Sequence, residues 1–233
     1  MKRWQARIER AAELAQTYPQ AREMLLFYRD VALFQNDPLV GPPVKHHLPA
    51  LCALVRRKGT PLLAEAAVYL AEHPEEWDSL LAQRDDPLLA FFSRVIEQPH
   101  FERKAAQSKV DTRTVQPTCP FCFEKPAVAV LRPEGDGGRR TLLCGTCATE
   151  WEFRRLLCPS CGEEERDQLP VYTTVEFPHV RVEACDTCRH YIKAVDLTRD
   201  GHAIPEVDEI AALPLDLWAL EHDYQKLAPN LFG

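Results

Sequence analysis

Eight of the nine cysteines fall into four Cys-x-x-Cys pairs: Cys119/Cys122, Cys144/Cys147, Cys158/Cys161 and Cys185/Cys188. Such a turn brings two sulfurs to one side of a tight loop, where both reach a single ion at about 2.3 Å, and two turns complete a tetrahedron. The pairs are separated by 21, 10 and 23 residues. The long intervals have room for a hairpin that folds one pair back onto another, and the short one does not. The spacing therefore groups Cys119, Cys122, Cys144 and Cys147 into one metal site, and Cys158, Cys161, Cys185 and Cys188 into a second. Pro120 and Pro159 stiffen two of the turns, while Gly145 and Gly162 allow close backbone approach.

A redox dithiol normally uses one Cys-x-x-Cys at a helix start in a βαβ setting, which this region lacks. Zinc and iron both accept four thiolates in a tetrahedron, and on spacing alone structural zinc is the commoner use. With four sulfurs each, the sites offer no open coordination position for metal-assisted hydrolysis. No Ser/His/Asp order, phosphate-cradling glycine loop or His-Glu-x-x-His element is evident, so no catalytic residue is assigned and the chain is expected not to be an enzyme.

Other groups that could do chemistry read as structural. Cys52 stands alone and fits a buried core position. His46-His47 reads as a polar helix face, Arg56-Arg57-Lys58 as a solvated helix end, and Glu163-Glu164-Glu165 as a solvated loop. Arg139-Arg140 and Arg154-Arg155 lie close in sequence to cysteines. They either offset thiolate charge or sit on exposed strands, and the sequence leaves both open.

The 233 residues are 45% hydrophobic, enough for a large domain or two ordinary ones. Residues 1–110 carry 15 Lys+Arg against 14 Asp+Glu, a net of +1; residues 111–233 carry 13 against 21, a net of −8. Each divalent ion in four thiolates adds about two more negative charges to that half, which makes nucleic acid an improbable partner. No apolar run approaches the roughly 18 residues that span a bilayer, so no membrane insertion is expected. Met1-Lys2-Arg3-Trp4 leads into mixed polarity rather than a signal-peptide core, and a cytoplasmic location follows as the default.

The elements that must position the cysteines change character along the chain. Residues 2–17 and 20–36 place apolar side chains at helical spacing, and Val44 to Lys58 forms another helix with Gly59 as its C-terminal cap. Thr60-Pro61, His73-Pro74 and Asp86-Pro87 each put proline at a first helical position. The last helix, through Leu88 to Ile96, is apolar nearly all round and is the most buried. From Arg103 to Thr118 the periodicity disappears. Beyond it, Ala127–Leu131 and Thr141–Leu143 form a hairpin through a turn at 133–138. Trp151 and Phe153 alternate with charges in a strand crossing from the first cysteine half to the second. Val171–Phe177, Val180–Ala184 and Tyr191–Asp196 supply the second half's strands. Helices return around Val207–Ala211 and after Pro214, the second including Leu217, Trp218, Leu220 and Leu227. A closing stretch at 229–233 frays or docks. The expected class is α+β: an α-helical domain at 1–102, a linker at 103–118, small β modules at 119–157 and 158–202, and a C-terminal helical tail at 203–233.

Together the motifs resemble the FdhE family of formate dehydrogenase accessory proteins. The likeness rests on Cys119-Pro-Phe-Cys122, Pro126-Ala-Val-Ala-Val-Leu131, Leu143-Cys144-Gly-Thr-Cys147-Ala-Thr-Glu-Trp151 with Arg154, and Cys158-Pro-Ser-Cys161-Gly162. It continues through Val182-Glu183-Ala-Cys185-Asp-Thr-Cys188, Tyr191-Ile-Lys-Ala-Val-Asp196 and Pro229-Asn230-Leu231. The resemblance implies a helical N-terminal region followed by two tandem rubredoxin-like modules, zinc-ribbon-like in outline. It implies cytoplasmic maturation factors that act on the catalytic subunit of molybdenum- or tungsten-dependent formate dehydrogenases. It also shifts the metal from zinc to iron, with the eight paired cysteines as ligands of two ions. A redox-active electron carrier and a zinc-ribbon nucleic-acid binder are the alternative functions, and oligomeric state is left open. Phe123 stands where the family pattern has glycine. If that turn needs positive φ, the first site is strained or differently shaped.

Overall fold

The computed structural model describes residues 2–83, 85–135 and 137–232. Met1, Arg84, Asp136 and Gly233 lie outside the described residues, which removes one turn residue of the first hairpin and both chain ends.

Helices α1 (Lys2–Thr17), α2 (Arg22–Gln35), α3 (Leu48–Lys58), α4 (Pro61–Glu72), α5 (Trp77–Leu81) and α6 (Pro87–Gln107) form the helical half. Side chains dictate where two of them start. The Thr60 hydroxyl accepts from Leu63 N at 3.4 Å, and the Asp86 carboxylate accepts from Leu88 N and Leu89 N at 2.8 and 3.1 Å. Gly59 ends α3 at φ −74°, outside the left-handed region. It is needed for room: a Cβ there would meet Val55 O at 2.8 Å and Val55 Cγ1 at 2.9 Å. One core joins α2, α3, α4 and α6 through Val31, Leu51, Val55, Leu70, Phe92 and Ile96.

Helix α6 runs through Pro99 to Gln107, into the stretch read as linker. Proline at 99 leaves the Val95 carbonyl without its helical donor. The buried Gln35 amide supplies one, donating to Val95 O at 2.9 Å, so the helix continues. After it the chain is pinned rather than free, because Glu152 N donates to Thr112 O at 2.8 Å and Trp151 Nε1 donates to Gln116 O at 2.9 Å.

Seven strands then build one sheet: β1 (Pro126–Glu134), β2 (Gly137–Cys144), β3 (Glu150–Glu152), β4 (Val171–Thr173), β5 (Val180–Ala184), β6 (His190–Asp196) and β7 (Gln225–Lys226). The order is β3-β2-β1-β6-β5-β4, with β7 also on β6. The two cysteine halves are joined by parallel pairing of β1 with β6, in the register Ala129↔Ala194, Val130↔Val195 and Leu131↔Asp196. The expected crossing strand at Trp151 is corrected by this pairing. β3 folds back onto β2, with Leu142 opposite Trp151, and ends the sheet on that side.

Helices α7 (Pro205–Ala211) and α8 (Leu213–Glu221) cover one sheet face, where Val128, Val130, Val182 and Val195 meet Ala212, Leu215 and Ala219. The helix after Pro214 is shorter than expected. Asp223 at φ 61° turns the chain into β7, and Leu227 packs beside Ile192 and Trp151 instead of lying on a helix. Buried Lys193 of β6 holds the α7–α8 corner, donating to Glu209 O, Ala212 O and the Asp216 carboxylate. The two carbonyls are orphan acceptors at the C-terminus of α7, met by a cation that the Asp216 carboxylate of α8 pairs.

Helix α7 also ties the halves together, since Val207, Ile210 and Ala211 share a core with Trp4, Leu25 and Tyr28. Arg7, fully buried, donates to Glu102 Oε1 at 2.7 Å and to Glu206 Oε1 at 2.5 Å. The tail docks: Phe232 lies 5.5 Å from the Phe27 ring and 6.1 Å from that of Phe91. Among the described residues no helix is long and apolar enough to cross a membrane.

Candidate metal centres

The four Cys-x-x-Cys turns share one backbone design. The first cysteine N–H donates to the carbonyl five residues ahead: Cys119 to Glu124 O, Cys144 to Thr149 O, Cys158 to Glu163 O and Cys185 to His190 O, at 2.8–3.0 Å. The residue after the second cysteine donates back to the first cysteine's carbonyl: Phe123 to Cys119, Ala148 to Cys144, Gly162 to Cys158 and Arg189 to Cys185. Closing the loop this way puts that residue at positive φ, with values of 65°, 55°, 81° and 58° in chain order. Phe123 is therefore no exception. Three of the four turns accept a non-glycine residue there, and the first turn keeps the same hydrogen bonds as the rest. Within three of the turns a backbone N–H points at the leading sulfur: Phe121 N to Cys119 Sγ and Thr146 N to Cys144 Sγ at 3.4 Å, and Ser160 N to Cys158 Sγ at 3.3 Å. Such donors favour the thiolate.

The hairpins bring Cys119, Cys122, Cys144 and Cys147 into one cluster, and Cys158, Cys161, Cys185 and Cys188 into another, with all sulfurs of each within 4.8 Å of one another. Close sulfur pairs lie at 3.4–3.5 Å in the first and 3.7 Å in the second. Metal–sulfur bonds of about 2.3 Å in a tetrahedron require sulfur edges of about 3.8 Å. The donor sets fit a four-thiolate ion in size and in chemistry.

The electrostatics agree. In the first cluster the bonds from Cys122, Cys144 and Cys147 pull the Cys119 thiol far down, while hydrogen bonding to Cys119 pushes Cys122 and Cys144 up. Four touching sulfurs cannot all lose protons without a cation among them. In the second, burial that would raise Cys188 is outweighed by hydrogen bonds from His190, Cys161 and Cys185, and its thiol falls to about 6.

Burial separates the two clusters. In the first, Cys119, Cys144 and Cys147 are buried and Cys122 is half-buried; in the second, Cys161 is exposed and Cys188 half-buried. The first lies where the halves of the protein meet. Gln98 of α6 donates to Gly145 O at 3.0 Å and Arg3 of α1 to Ala148 O at 3.2 Å, both inside the second turn, and Phe101 and Ala105 pack against the cluster's core. Thr149 sets its hydroxyl 3.2 Å from Cys147 Sγ. The second cluster is held by its own loops. The Glu163 carboxylate accepts from Thr187 Oγ1 at 2.6 Å, tying its two turns, which also keeps that carboxyl below its usual range. This is a role beyond a solvated loop.

None of the neighbouring arginines donates to a sulfur. Arg139 meets Glu152, Arg140 meets Glu183, Arg154 meets Glu164, and Arg155 donates to Gly138 O. Cys52 sits in the helical core, where burial pushes its thiol up to about 11. A third group, His179, Asp200 and Asp208, also converges, but Arg10 fills it. Its guanidinium lies 2.6 Å from both Asp208 Oδ1 and Asp200 Oδ2, and His179 Nε2 is 2.8 Å from Asp208 Oδ1. That is an ion-pair network linking α1 to α7. Neither it nor the grip of Gln98 and Arg3 has a signal in sequence, since each joins residues far apart in the chain.

A helical half docked on a sheet that carries two four-sulfur clusters defines a class of cysteine-rich metal-site proteins in which the cysteine region is fastened to a helical partner. Residues 118–155 match the family model described as FdhE, central domain, and residues 156–232 that of FdhE, C-terminal domain. A Protein FdhE homolog of Aquifex aeolicus is 33% identical over 200 residues, covering 82% of this chain and 70% of that protein. The chain belongs to the FdhE family. A Protein FdhE homolog of Pseudomonas aeruginosa is 33% identical over 137 residues, 55% of this chain and 42% of that protein, so this chain matches less than half of that relative's length. The crystal structure of the FdhE protein from Pseudomonas aeruginosa superposes with a TM-score of 0.70 at 23% identity, over 98% of this chain and 95% of that one, which establishes a shared fold.

Proposed function

We propose that this chain is an accessory factor that binds the immature catalytic subunit of a formate dehydrogenase in the cytoplasm and takes part in its maturation without itself catalysing a reaction. In this reading Cys119, Cys122, Cys144 and Cys147 ligate one metal ion and Cys158, Cys161, Cys185 and Cys188 a second. Iron is favoured over zinc by the family resemblance. The domains are the helical part at 1–102, the segment at 103–118, the modules at 119–157 and 158–202 and the tail at 203–233. The observation that carries the proposal is family membership together with two assembled four-cysteine clusters. A resident ion in such a site supplies folding energy, and iron adds one-electron chemistry. The test is co-purification with the formate dehydrogenase catalytic subunit from a host that expresses both. Normal formate dehydrogenase activity after deletion of the gene contradicts the proposal.

A second reading, a redox-active iron carrier, is favoured by the exposure of Cys161, which puts one cluster within contact range of another protein. Elemental analysis of anaerobically isolated protein tests it. Iron with the colour of a ferric four-thiolate site supports it, and zinc alone ends it.

A further inference from the structure

On the sheet face turned away from α7 and α8, a groove of about 300 Å³ opens beside the second cysteine cluster. It is lined by residues 156–160, leading into that cluster, by Arg166, Leu169 and Val171, and by Glu183 of β5 and Ile192 of β6. The size is at the lower end for small-ligand pockets, about 300–1,000 Å³.

Its charge is unusual for its surroundings. Four arginines, Arg140, Arg155, Arg166 and Arg181, line the groove with one acid, Glu183. Four minus one leaves three positive charges. Against them stands the cluster whose Cys158 and Cys185 also line the groove and which, with a divalent ion, carries about two negative charges; about one positive charge is left over, in the half of the chain whose net charge is −8. Glu183 is already shared: Arg140 Nε donates to its Oε2 at 2.8 Å and Arg181 Nη2 to its Oε1 at 2.6 Å. Arg140 is spent, since its Nη1 also donates to Arg154 O, and its side chain is only 2% exposed. Arg155 has an uncharged partner, Gly138 O. The Arg166 side chain has no hydrogen-bond or ion-pair partner among the described residues, and Arg181, whose Nε also donates to Glu183 Oε1 at 3.1 Å, has no partner there for its Nη1. The rest of the lining is mostly apolar, chiefly Leu157, Leu169, Ile192 and Leu227, with Ser160, His190 and the cluster's Cys158 and Cys185 among it.

We infer that this groove binds a small organic anion, with a carboxylate, phosphate or sulfonate group held by Arg166 and Arg181 at the rim and a compact apolar body resting on Leu157, Leu169 and Ile192. Buried Arg140 and Glu183 fix Arg181 in place beforehand, so little side-chain entropy is lost on binding. The competing account is that the arginines offset the thiolate charge of the second cluster. Their partners argue against it, because none donates to a sulfur. The inference stands independently of any formate dehydrogenase partner.

The test is a fluorescence titration of the metal-loaded full chain with anilinonaphthalene sulfonate, set against N-phenylnaphthylamine, which has the same aromatic body without the anion. The sulfonate is expected to saturate one site per chain and to bind about tenfold or more tighter than the neutral probe. Arg166→Glu, at an exposed position with no partner to lose, is expected to weaken the sulfonate by about tenfold or more while metal content stays at the wild-type level. Arg57→Glu, the same charge change on α3, leaves binding unaltered. Equal affinity for the two probes, unchanged sulfonate binding by Arg166→Glu, or loss of metal in that variant with sulfonate affinity intact would each overturn the inference.

Discussion

The two cysteine clusters are built from the same turn and live in different surroundings. In the first, the helical half reaches in. Gln98 and Arg3 hold carbonyls of the second Cys-x-x-Cys turn, and Phe101 and Ala105 pack against the apolar core around it. In the second, the holding groups come from the cluster's own loops and the nearby C-terminal segment. Glu163 binds Thr187, Arg189 donates to His222 O, and the Arg189 guanidinium lies 4.1 Å above the Tyr224 ring. A repeated local motif thus supplies the four-sulfur geometry, while the packing around it decides whether the cluster lies between the halves of the fold or faces outward.

The sharpest break in this comparison comes from removing one ligand at each site. Metal-linked folding of a four-thiolate site is worth on the order of 10 kcal/mol, comparable to the stability of a whole domain. Cys144→Ser is therefore expected to abolish the first site and loosen the helical half with it, seen as loss of cooperative thermal unfolding and rapid proteolysis between residues 108 and 118. Cys161→Ser is expected to lower the metal content by one ion per chain and leave the helical core's unfolding transition in place.

Next in size is the buried ion pair that clamps the halves beside the first cluster. Arg7→Met leaves Glu102 and Glu206 short of a partner and is expected to cost about 3–5 kcal/mol, read as a lowered denaturation midpoint. Metal at the second cluster should be unaffected.

Acid sharpens the same contrast. Glu209 of α7 is buried, and although burial raises its carboxyl, Lys193 and Lys226 outweigh it and hold the group at about 2 against an ordinary 4.5. Its folded-state value lies below its unfolded one, so the stabilisation is complete above the unfolded value and disappears as pH falls from about 4.5 toward 2. The size is about 3 kcal/mol. Glu209→Gln should flatten that part of the acid profile, measured by denaturant titration at several pH values.

The smallest effect concerns the turns themselves. Phe123→Gly and Ala148→Gly each release a left-handed conformation worth roughly 1 kcal/mol, partly offset by glycine's greater unfolded-state entropy. Similar small gains at both positions would establish that the turns are equivalent. A gain confined to Phe123 would restore the idea that the first turn is special.

Much of this architecture was legible in the chain. The intervals between the pairs point to the same grouping of sulfurs that the distances show, because a hairpin fits 21 or 23 residues and not 10. Strand β5 follows its alternating pattern, and the proline-led starts of α4 and α6 follow their caps, while β6 is buried on both faces. What was hidden depends on contacts distant in sequence. Parallel pairing of β1 with β6 merges the halves into one sheet, and no local pattern announces a partner more than sixty residues away. Helix α6 outruns the stretch where its apolar periodicity fades, and Gln35, distant in sequence, serves the Val95 carbonyl that Pro99 leaves without a donor. Leu227 has a helical neighbourhood in sequence but follows a turn at Asp223 onto the sheet. The difference in burial between the clusters belongs to the same category, since it is set by helices that precede both.

The most direct measurement is native mass spectrometry of the metal-loaded chain during exposure to a chelator and a thiol-alkylating reagent, with the modified cysteines mapped at each time. Release in two phases is predicted. The first removes one ion and labels Cys161 and Cys188 while the other cluster stays intact, and the second is slow and coincides with opening of the helical half. Simultaneous loss of both ions, or labelling of Cys144 and Cys147 first, would contradict the account.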